Sequence, residues 1–208
     1  MLGDSNLDIL TKLSDEVVSH LSKSVVSLAL SKGNTVLFAC SGIAIERQGH
    51  VTRFLTLASF VTALNDKKKI HGNLKIEVRQ GGSEVHKGFL AEYNLDQNFA
   101  VVNIMTPLDV HVVLLKCAEE NLPHSNVVAV GREISGTLIA RSVILAVCCE
   151  GGPLFDFDGN FVGMNVILVK ERTFFVPWRA IIKQLEDYWS PLQKKKCVPH
   201  LKVLKATR

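Results

Sequence analysis

Cys148-Cys149-Glu150-Gly151-Gly152-Pro153-Leu154-Phe155-Asp156-Phe157-Asp158-Gly159-Asn160-Phe161-Val162-Gly163-Met164-Asn165 carries more information than any other part of the chain. An apolar run, Thr137–Val147, leads into it, and a second, Phe161–Val169, closes it. Asp158-Gly159-Asn160 between them is turn chemistry, so the pattern predicts strand, turn and strand. The same alternation extends in both directions. Upstream, Val25–Leu30, Val36–Glu46, Val51–Leu57, Leu74–Arg79, Gly88–Tyr93, Phe99–Met105, Val110–Leu115 and Asn126–Gly131 read as short strands, and Thr173–Val176 does so downstream. Lys32-Gly33-Asn34, Gln48-Gly49 and Gln80-Gly81-Gly82 supply turns between them. Many short strands at regular spacing predict an all-β barrel or sandwich.

Helices are predicted only at the two ends. Ile9, Leu10, Leu13, Val17 and Leu21 recur at helical spacing behind the capping pair Ser5 and Asp8. Trp178, Ile181, Ile182, Leu185, Tyr188 and Trp189 share one face of a second helix that should dock on the β body. Asp66-Lys67-Lys68-Lys69 reads as a solvated loop, and Met105-Thr106-Pro107-Leu108 as a linker between two halves. The expected organisation is therefore a helical segment 1–24, a β domain 25–189 and a tail 190–208. Within the β domain the first barrel takes about 25–105, the second about 108–177, and the last helix 178–189.

Composition narrows the function. The chain has 208 residues, 47% hydrophobic and 21% charged, enough to bury a core and unlike a disordered segment. Lys and Arg outnumber Asp and Glu by 24 to 20, but six of the bases lie beyond Ser190, so residues 1–189 carry 18 bases against 20 acids. Such a body has no general attraction for phosphate, and only the Lys-rich tail offers weak, salt-sensitive binding to nucleic acid. The cysteines, at 40, 117, 148, 149 and 197, are odd in number and lack CxxC spacing, which argues against a disulfide framework and a structural zinc site. A reducing compartment, cytoplasm or nucleus, is expected. The acidic N-terminus is unlike a secretory signal, and apolar runs of about seven residues are too short for a membrane span. No cofactor and no metal are expected.

The Gly151-Gly152-Pro153-Leu154 turn with Asp158-Gly159-Asn160-Phe161-Val162-Gly163-Met164-Asn165 resembles the nucleophile loop of trypsin-like (chymotrypsin-fold) serine proteases of the HtrA/Deg type. Ser41-Gly42-Ile43-Ala44-Ile45, Leu55-Thr56-Leu57-Ala58-Ser59-Phe60-Val61, Asn98-Phe99-Ala100-Val101-Val102 and Phe174-Phe175-Val176-Pro177 resemble further segments of that family in the same order. Similar Gly-Gly-Pro-Leu and Asp-Gly-Asn segments occur in the Deg-like proteins of grasses. The resemblance covers roughly Val25 to Tyr188 and implies two β-barrels. Only about ten residues separate the Gly136-Thr137-Leu138-Ile139 strand from the Gly-Gly-Pro-Leu turn, where the family has another strand and a long loop, so the second barrel is expected to be trimmed.

Carried over position by position, the resemblance puts Ser59 at the general-base histidine, Asn98 at the orienting aspartate and Glu150 at the nucleophile. The oxyanion loop corresponds to Cys148, Cys149, Glu150, Gly151 and Gly152. A serine hydroxyl takes up no proton at neutral pH, an amide cannot stabilise an imidazolium, and a carboxylate repels an oxyanion. Loss of the nucleophile or base from such a triad costs on the order of 10⁶ in turnover. The expectation is a non-enzyme: an inactive pseudoprotease that binds a protein or peptide partner, with self-association also open.

One alternative makes Cys149 a relocated nucleophile, which would need an imidazole to lower its pKa. His50 and His71 flank position 59 but lie nine and twelve residues away. The remaining histidines, 20, 86, 111, 124 and 200, form no cluster in the sequence and read as surface or hydrogen-bonded core residues.

Overall fold

The computed structural model describes residues 9–113, 127–142, 151–169 and 172–185. Ile9 and Leu10 are helical, but the chain then turns, with Lys12 N–H on Ile9 O at 3.1 Å and Leu13 N–H on Leu10 O at 3.2 Å. Helix α1 begins only at Asp15 and runs Asp15–Ser24. This corrects the single helix expected behind Ser5 and Asp8, both outside the described residues. The cause is local. Ser14 Oγ accepts the Val17 N–H at 3.2 Å, and Asp15 and Glu16 place acid in the first turn.

Strands β1 (Val25–Lys32), β2 (Thr35–Gln48), β3 (Val51–Thr56), β4 (Lys75–Arg79), β5 (His86–Asn94) and β6 (Phe99–Ile104) close into a barrel in the order β1-β2-β3-β6-β5-β4. Strand β1 is buried from Val25 to Ser31. Val26, Leu28 and Leu30 fill the barrel, while Val25 joins Ile43, Leu55 and Val101 in a second core facing the other β body. That continuous burial is what a strand with core on both sides requires.

Helix α2 (Ser59–His71) follows β3 and contains the run Asp66-Lys67-Lys68-Lys69, which sequence predicts as a loop. Phe60 and Val61 anchor the helix, with Phe60 edge-on to Phe38 at 6.2 Å. Lysines suit its last turn, where the carbonyls point outward, and Gly72 ends it at φ 74°. A second correction concerns Val110–Leu115. Its described part, to Val113, runs along the barrel with Val113 N–H on Ala44 O at 3.0 Å and forms no strand.

Strands β7 (Val127–Arg132), β8 (Leu138–Ser142), β9 (Pro153–Asp156), β10 (Phe161–Val169) and β11 (Arg172–Pro177) form a sheet ordered β11-β10-β9-β7-β8, and helix α3 (Trp178–Leu185) buries Ile181 and Leu185 in the shared core. The expected strand Thr137–Val147 is observed as β8, its remainder lying outside the described residues, and β9 was not among the predicted strands. The sheet repeats the barrel's connectivity with one strand fewer. β7 pairs with β8 and β9 as β1 pairs with β2 and β4, and β9-β10-β11 follow as β4-β5-β6 do. No described residues form the counterpart of β3, which would close β8 onto β11. The interval where it would fall, 143–152, is ten residues long, of which 143–150 lie outside the described residues.

Arg132, at the end of β7, joins the two bodies. Its Nε donates to Val25 O at 2.7 Å, Nη1 to Gly136 O at 2.5 Å and Nη2 to Ser22 O at 2.5 Å, while its backbone N–H reaches Ser41 Oγ at 3.0 Å. All these acceptors are uncharged. Burial pulls the guanidinium pKa down to about 10, which still leaves it charged at neutral pH. Arg132→Ala should leave three carbonyls without donors and cost about 3 kcal/mol or more in urea unfolding. Arg132→Lys, whose ammonium lacks the planar fork, should recover less than half of that loss.

Candidate functional site

Ser59 is the first residue of α2, immediately past β3, and Asn98 immediately precedes β6. β3 and β6 pair with Thr56 opposite Ala100, so the two positions fall at the same end of the barrel. Asn98 has φ 55°, a left-handed conformation that Asn tolerates better than most side chains. The turn before it is closed by Asn94 Oδ1 on the Gln97 N–H at 3.0 Å and by Asn98 N–H on Leu95 O at 3.3 Å. The Ser59 Oγ is buried and has no hydrogen-bond partner.

The Gly-Gly turn reaches this end of the barrel from the second sheet. Gly151 N–H donates to Asn165 O at 3.0 Å and Asn165 N–H to Gly152 O at 2.9 Å, pinning the turn to β10. Gly151 has φ 74°, and a Cβ there would stand 3.1 Å from Thr56 Oγ1 and 3.2 Å from Ser41 O. Thr56 Oγ1 in turn donates to Ser41 O at 2.8 Å. The turn is therefore seated on β2 and β3, with Thr56 three residues before Ser59. Cys148, Cys149 and Glu150 lie outside the described residues. Downstream, Asp156 fixes the hairpin: Oδ1 accepts the N–H groups of Asp158 at 3.0 Å and Asn160 at 2.8 Å.

Sequence reasoning singled out the residues at the triad positions but not Thr56, Ser41 and Asn165, which hold the turn. The signal for Thr56 was present in the quoted Leu-Thr-x-Ala segment. Gly151 and Gly152, expected in an oxyanion loop, use the N–H of one and the carbonyl of the other to pair with Asn165.

Among the described residues imidazoles do not converge here; His124 and His200 lie outside them. His50 precedes β3 and Ser59 follows it, so the six-residue strand separates them by roughly 20 Å. His71 ends α2, about 18 Å along the helix from Ser59. His86 Nδ1 lies 3.0 Å from Thr106 Oγ1, beyond the end of β6 opposite to Asn98. His20 and His111, unconnected in the sequence reading, meet with ring centroids 4.5 Å apart beside α1. Among the described residues no group of three or more His, Cys, Asp or Glu side chains is placed to hold a metal, and no helix is long and apolar enough to cross a membrane.

No protein-family model and no curated protein matches the chain. Among solved structures it is similar to a crystal structure of Deg5, with TM-score 0.63 and 17% identity over 85% of this chain and 98% of that one. The fold is trypsin-like. The all-β class expected from the sequence, a closed six-stranded barrel with a second sheet and few helices, is thereby established. In this trypsin-like frame Ser59, Asn98 and the Gly-Gly turn lie where the barrel meets the second sheet.

The seating of Gly151 is open to test. Gly151→Ala adds a contact to backbone and to Thr56 on top of the left-handed strain, and should cost about 3 kcal/mol. Gly33→Ala, at φ 60° with open space around it, should cost only about 1 kcal/mol. Equal losses in parallel urea titrations would mean that the turn is not packed against Thr56.

Proposed function

We propose that this chain is a catalytically inactive pseudoprotease that acts by binding a protein partner. The observation carrying the first half is the pair of side chains at the described triad positions. A serine hydroxyl and an asparagine amide stand at the same end of the barrel, with His50 and His71 at the far ends of β3 and α2. Neither side chain accepts a proton at neutral pH, so among the described residues a nucleophile on the adjoining turn would have no imidazole base beside it. The proposed role of Glu150 follows from its sequence position: a carboxylate there opposes formation of an oxyanion.

The binding half is supported by the barrel's outer surface. Val85, Phe89, Tyr93, Leu95 and Met105 are exposed and lie on or beside β5. Lys87 Nζ is 5.1 Å from the Phe89 ring centroid. Exposed apolar side chains along one strand support a binding role for this face. The compartment proposed is cytoplasm or nucleus, on the cysteine pattern.

The test is labelling of the folded protein with a fluorophosphonate serine probe and an iodoacetamide-type thiol probe, beside casein turnover. Heat-denatured protein and the Cys149→Ser variant serve as controls. The expected outcome is no fold-dependent labelling and no casein cleavage. Fold-dependent labelling of Cys149, with turnover abolished in Cys149→Ser, would replace the pseudoprotease reading by that of a cysteine-dependent peptidase.

A further inference from the structure

His20 and His111 are distant in sequence, one on α1 and the other in the segment 105–113 that leaves the barrel. Their rings meet with centroids 4.5 Å apart and planes tilted by 46°. His111 Nδ1 is buried and has no hydrogen-bond partner, so a proton placed there would find no acceptor. The same contact zone holds the segment against the end of α1. His111 N–H donates to Lys23 O at 3.3 Å, and Lys23 Nζ pairs with Asp109 Oδ2 at 2.7 Å. Gln80 Nε2, from the turn after β4, bridges Lys23 O at 2.8 Å and Asp109 O at 2.7 Å.

We propose that His20 and His111 form a proton-operated clasp, which holds segment 105–113 on α1 at neutral pH and loosens in acid. Two neutral imidazoles pack as flat, weakly polar surfaces, whereas two imidazolium rings in contact repel. The surrounding charges do not cancel that repulsion. Glu16, one turn earlier on α1, faces His20 and favours its charge. Asp109 faces His111 but is committed to Lys23, with Arg47 of β2 also acting on it. Lys23 and Arg47 bring positive charge of their own.

The sign follows from His20. Partial burial, then His111, lower its pKa from the ordinary value, with Glu16 opposing. A base whose folded pKa is depressed contributes stability that is present above its unfolded value, about 6.5, and is lost as pH falls below it. Acid therefore opens the clasp.

Hydrogen exchange read by mass spectrometry on the full chain, at pH 7.5 and 5.0 and corrected for intrinsic rates, tests this. Protection of peptides covering 105–113 should fall about fivefold or more at pH 5.0, while β6 changes less than twofold. In His111→Gln, which removes the ring contact, the fall should shrink below twofold. Unchanged protection in the wild type, or an undiminished fall in the variant, would overturn the clasp. Should that variant not fold, His20→Gln decides instead: a fall that shrinks below twofold supports the clasp and an undiminished fall overturns it.

Discussion

One buried cation governs how the two β bodies meet. The Arg132 guanidinium sits among carbonyl oxygens from α1, from β1 and from its own β7–β8 turn, with no carboxylate among the described residues paired to it. Such an arrangement is tolerable because all three guanidinium nitrogens donate to carbonyls, and because Ser22 O lies in the last turn of α1, where the helix presents partial negative charge. The fork fixes three chain segments at once in a way that an apolar contact, which can slide, does not. Arg79 reinforces the same seam, Nη1 donating to Ile134 O at 3.2 Å. The β7–β8 turn also packs tightly on the β4–β5 turn, since a Cβ at Gly136 would stand 3.1 Å from Gly82 N.

The seam in turn decides where the Gly-Gly turn lands. Once β7 is fixed to β1, β9 is placed by its pairing with β7, Val128 opposite Phe155. β10 is then placed by β9, and the Asn165 clasp carries Gly151 onto Thr56. A strand equivalent to β3 would lie on the far side of the sheet, between β8 and β11, so this path does not depend on it.

The parts of the fold legible in the sequence are those where burial and local chemistry agree. The β1 run, the Asp158-Gly159-Asn160 turn and the strand beginning at Phe161 combine apolar patterning with turn residues at the right places. Helix α2 was not legible, because only Phe60 and Val61 at its start are buried, and its Lys67-Lys68-Lys69 end shows no apolar periodicity. The start of α1 was misread because Ile9 and Leu13 keep helical spacing across a turn that buries both. Segment 110–113 is apolar for another reason: Val110 and Val113 cover core without joining a ladder. At the site, Ser59 and Asn98 were found by position along the chain. The His20–His111 contact and the Arg132 hub depend on tertiary neighbours that no local pattern encodes.

The residues that shape the site and those that would move protons are different residues. Thr56, Ser41, Asn165 and Gly151 secure the turn through a hydroxyl, carbonyls, backbone N–H groups and a left-handed glycine, and none of these tasks involves positions 59 or 98. The fold asks of position 98 a residue that accepts φ near 55°, a demand Asn meets well. It asks of position 59 a residue that can start a helix, and Ser tolerates a first turn at little cost. On the proposed pseudoprotease reading, replacement at these two positions removes acid–base chemistry without disturbing the seam, the Asn165 pairing or the hairpin. That separation gives a physical route by which a trypsin-like fold can persist as a binding surface after its proton-transfer groups are replaced.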